Sequence, residues 1–253
     1  MITTILLISR ISYLDRVIES LLNQTIKPNN LLVVYDGSEH EYALARNKIV
    51  GLDFEQVRFV PSTSLAVAHS IPDRRRHITN IHNQIREIVE DCEWIFSIED
   101  DGILPPDALE RLISVVKQKD DVGMVTGVEL GRWGNPYVGA WRVDDVFQPK
   151  KIESLENRTL EIPLIEEIDG CGLYCAMIRA DLYKKHEFFS NNGLGPDVNL
   201  GIFIRQQGYK NYIDWGIHVT HLTFREGKYI EIKSTDKSRI VKLQLLSGNI
   251  WGA

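Results

Sequence analysis

The chain has 253 residues, of which 43% are hydrophobic, and a formal charge of -6 at pH 7. That is enough apolar material for one large or two small domains, and the acidic balance argues against a broad basic footprint for duplex nucleic acid. No apolar run approaches the roughly 20 residues that cross a bilayer, and the opening MITTILLISR is too short and wrongly flanked for a signal peptide, so a soluble cytoplasmic protein is expected.

The first run, Thr3 to Ser9, is short, apolar and β-branched, which predicts a strand. Behind it Leu14, Val17, Ile18, Leu21 and Leu22 recur at helical spacing. After the turn signal Lys27-Pro28-Asn29-Asn30 a second apolar run, Leu31 to Tyr35, stops at Asp36-Gly37-Ser38. Strand, helix and strand in that order imply a parallel crossover, which brings both strand ends to one side. Gln56 to Val60 predicts a short strand. Ile78 to Val89 is helical through Ile81, Ile85, Ile88 and Val89, and Glu93 to Ile98 predicts a buried strand. Leu104-Pro105-Pro106 suits a helix start, Leu109, Leu112, Ile113 and Val116 supply that helix with an apolar face, and Val122 to Val128 predicts another strand. The first half therefore predicts an α/β domain with a mostly parallel sheet.

Farther on, Leu130 to Pro149 mixes glycine with Trp133, Tyr137, Trp141 and Phe147 and has no clean period, as a loop or short ribbon would. Such aromatics either stack on sugar rings or pin the loop to the core. Leu173 to Ile178 is a further apolar stretch, followed by a helical pattern from Ala180 to Phe189. Cys92, Cys171 and Cys175 cannot all pair within the chain and lack zinc spacing, so they are expected to be reduced.

The strand ending at Ile98 runs straight into Glu99, Asp100 and Asp101. Three adjacent carboxylates repel one another, and such a cluster persists either as a solvated turn or around a cation. In parallel sheets ligands gather beyond the carboxyl ends of strands, where both this triplet and Asp36 lie.

Two segments, SLLNQTIKPNNLLVVYDGS (Ser20 to Ser38) and WIFSIEDDGILPPDAL (Trp94 to Leu109), resemble the nucleotide-sugar glycosyltransferases of the GT-A fold, closest to family 2. That family shows a strand ending in Asp-Asp-Gly-Ser and a later one ending in Asp-x-Asp. Here these read Tyr35-Asp36-Gly37-Ser38 and Glu99-Asp100-Asp101. GCGLYCAMIRADLY (Gly170 to Tyr183), GPDVNLGIFIRQQGY (Gly195 to Tyr209) and HVTHL (His218 to Leu222) extend the likeness more weakly.

The resemblance implies a GT-A domain over residues 1–222, with a nucleotide-sugar half (1–128), an acceptor half (129–222) and a C-terminal extension (223–253). It implies Mn2+ or Mg2+ and a nucleoside diphosphate sugar, with a UDP-sugar as the expected donor. Asp101 is then the direct metal ligand and Glu99 serves the ribose or a metal-bound water, with Asp100 beside them. His221 completes the metal shell, with His218 as the competing choice. Asp36 accepts from the nucleobase, Asn83 occupies the place of a family Arg-Asn pair, and Gly170 and Gly172 admit main chain close to the donor sugar. Asp197 is the base of an inverting transfer, or else the N-cap of a helix beginning near Val198. Arg74, Arg75 and Arg76 lie toward the diphosphate or form a solvated turn.

The family's processive members carry Gln-x-x-Arg-Trp and membrane helices, which this sequence lacks, so transfer of a single sugar to an acceptor hydroxyl is expected. The alternatives are a viral DNA-modifying glycosyltransferase acting on a hydroxylated base, a sugar-phosphate nucleotidyltransferase and a non-catalytic carbohydrate-binding protein. The first requires a basic groove. The second ordinarily shows a glycine-rich loop after the first strand, where this chain has Ser9-Arg10-Ile11-Ser12.

Overall fold

The structure is a computed structural model and describes residues 1–64, 71–131, 137–143, 164–190, 194–225, 227–233 and 242–246. The apolar runs of the first half form β1 (Ile2–Ile8), β2 (Asn30–Tyr35), β3 (Gln56–Pro61) and β4 (Trp94–Glu99), which lie parallel in the order β3-β2-β1-β4. Because β1, β2 and β4 are covered on both faces, both faces of each strand carry apolar residues instead of alternating strictly with polar ones. Leu6 and Ile8 face one apolar layer and Ile5 the other; Leu31, Val33 and Tyr35 alternate in the same way with Leu32 and Val34.

The first layer is roofed by α1 (Leu14–Leu22), α2 (Glu39–Ile49) and, after the two-residue strand β5 (Gly102–Ile103), α4 (Ala108–Gln118). Leu14, Val17, Ile18 and Leu21 form the stripe by which α1 docks. Burying each such side chain stabilises by about 1.5 to 3 kcal/mol. Pro105 and Pro106 make the turn ahead of α4 instead of its first residues, and the Pro105 carbonyl accepts from the Ala108 N–H at 3.1 Å. α2 buries only Ala45 and Ile49, which is why no helical period announces it.

Beyond β4 the sheet continues with β10 (Cys175–Arg179), β6 (Val122–Val128), β11 (Lys210–His218) and β8 (Ile165–Ile168). β10 is antiparallel to both β4 and β6. The second apolar layer packs under α3 (Ile71–Ile88), α5 (Ala180–Lys185) and α6 (Pro196–Gln206). α5 is shorter than its apolar pattern predicts. The backbone turns extended at His186, whose ring packs 4.8 Å from those of Phe188 and Phe203.

Part of the aromatic middle segment is a strand, β7 (Tyr137–Val143), which pairs with β9 (Gly170–Cys171) and β14 (Lys242–Leu246). Trp141 is buried there against Val198 and Ile202, so it pins the segment to the core; Trp133 and Phe147 lie outside the described residues. β12 (Thr220–Arg225) and β13 (Lys228–Lys233) form a hairpin that adds to β5, and the expected boundary after residue 222 falls inside β12. The three cysteines are free thiols, and burial pushes that of Cys175 up to about 12. Among the described residues no helix is long and apolar enough to cross a membrane.

Under α3, His82 stacks on Phe188 with centroids 5.0 Å apart, and its Nδ1 lies 2.8 Å from the Tyr183 hydroxyl. Burial holds His82 at about 4, with His186 adding to the effect; burial and then Arg86 hold His186 at about 4 as well. Both rings are therefore neutral when folded. Unfolding frees them to take up protons below about pH 6.5, so their stability contribution is complete above that value and is lost as pH falls toward 4. By about pH 5 the loss is on the order of 2 kcal/mol per histidine. Urea midpoints measured between neutral pH and about pH 5 should fall accordingly, and less steeply in His186→Gln.

Candidate active site

Strand register sets the site. Ile8 of β1 lies opposite Tyr35 of β2, and Leu7 opposite Glu99 of β4. The next residues of each strand, Ser9, Asp36 and Asp100, consequently leave the sheet side by side at its carboxyl edge. β1 is also where the strand order reverses, with β2 on one side and β4 on the other, and at such a switch point the diverging connections open a crevice. A cleft lies there, lined among others by Ser9, Arg10, Asp36, Arg74, His77 and Glu99.

The acidic triplet divides into three roles because successive side chains point in different directions. Glu99 lines the cleft. Asp100 turns toward the β1 to α1 loop and is filled: Oδ2 accepts from the Ser9 N–H (2.7 Å), the Ser9 hydroxyl (2.9 Å) and the Arg10 N–H (2.7 Å), while Oδ1 accepts from Arg10 Nη2 (2.5 Å). With its oxygens occupied in this way Asp100 holds the loop, and it lines the cleft beside Glu99. Asp101 is fully buried and receives the same Arg10 Nη2 on Oδ2 at 2.8 Å. Burial opposes the Arg10 charge, but Asp100 and Asp101 outweigh it and raise its pKa further. Arg10 was not marked by any sequence motif; its partners lie 90 and 91 residues away.

β12 brings the histidine. His221 is opposite Gly102 in the β12 to β5 pairing, and the Leu222 N–H donates to the Asp101 carbonyl at 2.7 Å. His221 Nε2 thereby comes within 3.3 Å of Asp101 Oδ2, whereas His218 sits at the end of β11 opposite Val128. Of the two histidines, His221 is the one beside the acid. Its Nδ1 lies 2.9 Å from the Leu130 carbonyl and 3.6 Å from Glu129 Oε2. Burial disfavours the imidazolium, but Asp101, Glu129 and the Leu130 carbonyl prevail and raise its pKa to about 8.

This donor set suits a divalent cation. An Nδ1–H held by a main-chain carbonyl leaves Nε2 as the ligating nitrogen, and two neighbouring donors on an octahedral ion stand about 3 Å apart, close to the Asp101 to His221 separation. Among the described residues no group of three or more histidine, cysteine or acidic side chains is gathered for a metal. Two protein ligands with the remainder from phosphate and water is the usual arrangement for an ion that serves a nucleotide.

In the lining of the cleft Asp36 Oδ2 lies 2.6 Å from His77 Nε2, and His77 Nδ1 lies 2.7 Å from the Ser64 hydroxyl. In a neutral His77 ring, an Nε2–H given to the Asp36 carboxylate leaves Nδ1 to accept from the Ser64 hydroxyl. Arg74 reaches the cleft lining; Arg75 and Arg76 are not part of it.

Asn83 is not brought to the site. Its amide donates to the Phe188 carbonyl and accepts from the Phe188 N–H, both at 2.9 Å, which straps α3 to the segment after α5. Asn83→Ala should cost about 1 to 3 kcal/mol in denaturant titration and leave turnover per folded molecule unchanged. Gly170 and Gly172 make room for the protein's own rings: a Cβ would stand 2.6 Å from the Trp141 indole nitrogen at the first and 2.9 Å from the Tyr174 ring at the second. Their contacts give no sign of a place for a donor sugar. α6 is capped by Gly195 and begins at Pro196, so Asp197 lies in its first turn and is not the N-cap. Burial raises the Asp197 carboxyl, while the Val198 and Asp197 N–H groups and the charge of Arg75 pull it back down.

Among solved structures the chain is similar to A197 from STIV, with 13% identity, a TM-score of 0.50 and coverage of 99% of this chain and 98% of that one. It is also similar to GalNAc-T7, solved with UDP, GalNAc and Mn2+, with 11% identity and a TM-score of 0.60; 90% of this chain aligns, spanning 44% of that one. At such identities the likeness is one of fold. No curated protein matches the sequence. The model described as "Glycosyltransferase like family 2" matches residues 5–237, and on that span the chain belongs to the glycosyltransferase-like family 2 and has its GT-A fold.

Proposed function

We propose that the protein transfers one sugar from a nucleoside diphosphate donor, with a UDP-sugar as the expected substrate, to an acceptor hydroxyl, with inversion and with a divalent Mn2+ or Mg2+ ion. The observation that supports this reading most is the pairing of Asp101 with His221, one residue on from Asp100 in a cleft that Asp36 also lines. GalNAc-T7, which shares the fold, was solved with UDP and Mn2+.

In this reading Asp36, oriented by His77, accepts from the base, and Glu99 meets the ribose. Asp101 and His221 hold the cation, which when bound supplies positive charge to the departing diphosphate. Arg74 adds charge from α3. Asp197 takes the proton of the acceptor hydroxyl as it attacks the anomeric carbon. A carboxylate raised by burial is a better base near neutral pH than an exposed one, and its place in the first turn of α6 keeps its ionised form available. Residues 1–128 form the donor half and residues 129–222 the acceptor half.

A panel of UDP-, GDP- and dTDP-sugars incubated with manganese tests the reading. It expects release of nucleoside diphosphate from one donor class, and arrest of turnover on addition of chelator. No release from any donor would refute it.

A further inference from the structure

Arg10 leaves the end of β1, between the base-reading edge at Asp36 and the cation ligands at Asp101 and His221. A nucleoside diphosphate held at both places must pass over that strand end, since β2, β1 and β4 are consecutive and span roughly 10 Å. The Arg10 side chain is anchored on one side only. Nη2 serves both Asp100 and Asp101, and the guanidinium lies 5.7 Å from the centre of the Tyr13 ring. The Ser9 and Arg10 N–H groups, both bound to Asp100, fix the backbone beneath it. Nε is buried without a hydrogen-bond partner, and the side-chain hydrogen bonds of Arg10 among the described residues all leave from Nη2. Nη1 therefore keeps its two N–H donors for a ligand, on a side chain that is 35% exposed and lines the cleft.

We propose that Arg10 works from two sides: Nη2 clamps Asp100 and Asp101 into place, and Nη1 donates directly to the diphosphate of the donor, as a phosphate contact separate from the metal. The proposal rests on the glycosyltransferase reading and adds to it a leaving-group contact supplied by the loop after β1. Two nitrogens held apart on one plane suit this double duty; a lysine ammonium would satisfy the aspartates as a point charge and have no second nitrogen for the diphosphate.

The test uses Arg10→Lys, with Arg10→Met as the second variant, and isothermal titration in manganese of whichever of UDP, GDP or dTDP binds wild type, alongside the matching nucleoside. Arg10→Lys should weaken the diphosphate about 10-fold or more, leaving nucleoside affinity and the protein's affinity for Mn2+ alone, read by electron paramagnetic resonance, within about 3-fold. Arg10→Met should reproduce the selective loss if it folds; Arg10→Lys decides if it does not. Equal losses for diphosphate and nucleoside would make Arg10 merely structural, and a parallel loss of Mn2+ affinity would mean that it acts through the ion; either overturns the proposal. Failure of every diphosphate to bind wild type in manganese would instead remove the glycosyltransferase reading, and this contact with it.

Discussion

Asp101→Asn is expected to lower kcat/KM for donor turnover by about 100-fold or more, because it removes the buried carboxylate beside His221 Nε2. The substitution preserves shape, and Arg10 keeps Asp100 as a charged partner, so circular dichroism should show an intact fold. The loss should lie in manganese stimulation: donor affinity in the variant with manganese should fall to the level of wild type in chelator. The physical cause is the loss of a full negative charge in a place closed to water, where it opposes a divalent ion most strongly. Unchanged manganese stimulation would remove Asp101 from the metal's surroundings.

Asp197→Asn separates chemistry from binding. If Asp197 receives the acceptor proton, the amide cannot, and kcat should fall by about 100- to 10,000-fold with donor affinity unchanged. Since Gly195 and not Asp197 caps α6, the substitution should cost little stability. Near-normal kcat would leave Asp197 as a polar residue of the first helical turn and put the base elsewhere.

The parts of the fold readable in the sequence were those in which burial imposes a period. The stripe Leu14, Val17, Ile18 and Leu21 marks α1, and the continuous apolar runs of β1, β2 and β4 mark strands covered on both faces. α2 was invisible because only two of its residues meet the core. The acids at strand ends were readable by position, yet their division of labour was not: Asp100 and Asp101 differ by one step of chain, and only packing decides that the first turns to the Ser9 to Arg10 loop and the second to β12. The choice between His218 and His221 depends on which strand pairs with Gly102, a contact across more than a hundred residues. Asn83 holds a family-like position in sequence, and its two bonds to Phe188 reach across 105 residues, where no local pattern announces them.

The most direct test of the central claim is a crystal structure with manganese and UDP, read by the anomalous signal of the metal. One peak is expected within about 2.3 Å of both Asp101 Oδ2 and His221 Nε2, with the diphosphate against it at the carboxyl edge between β1 and β4. A UDP complex in which Asp101 still contacts only protein donors and the anomalous peak lies elsewhere, or is absent, would contradict the account.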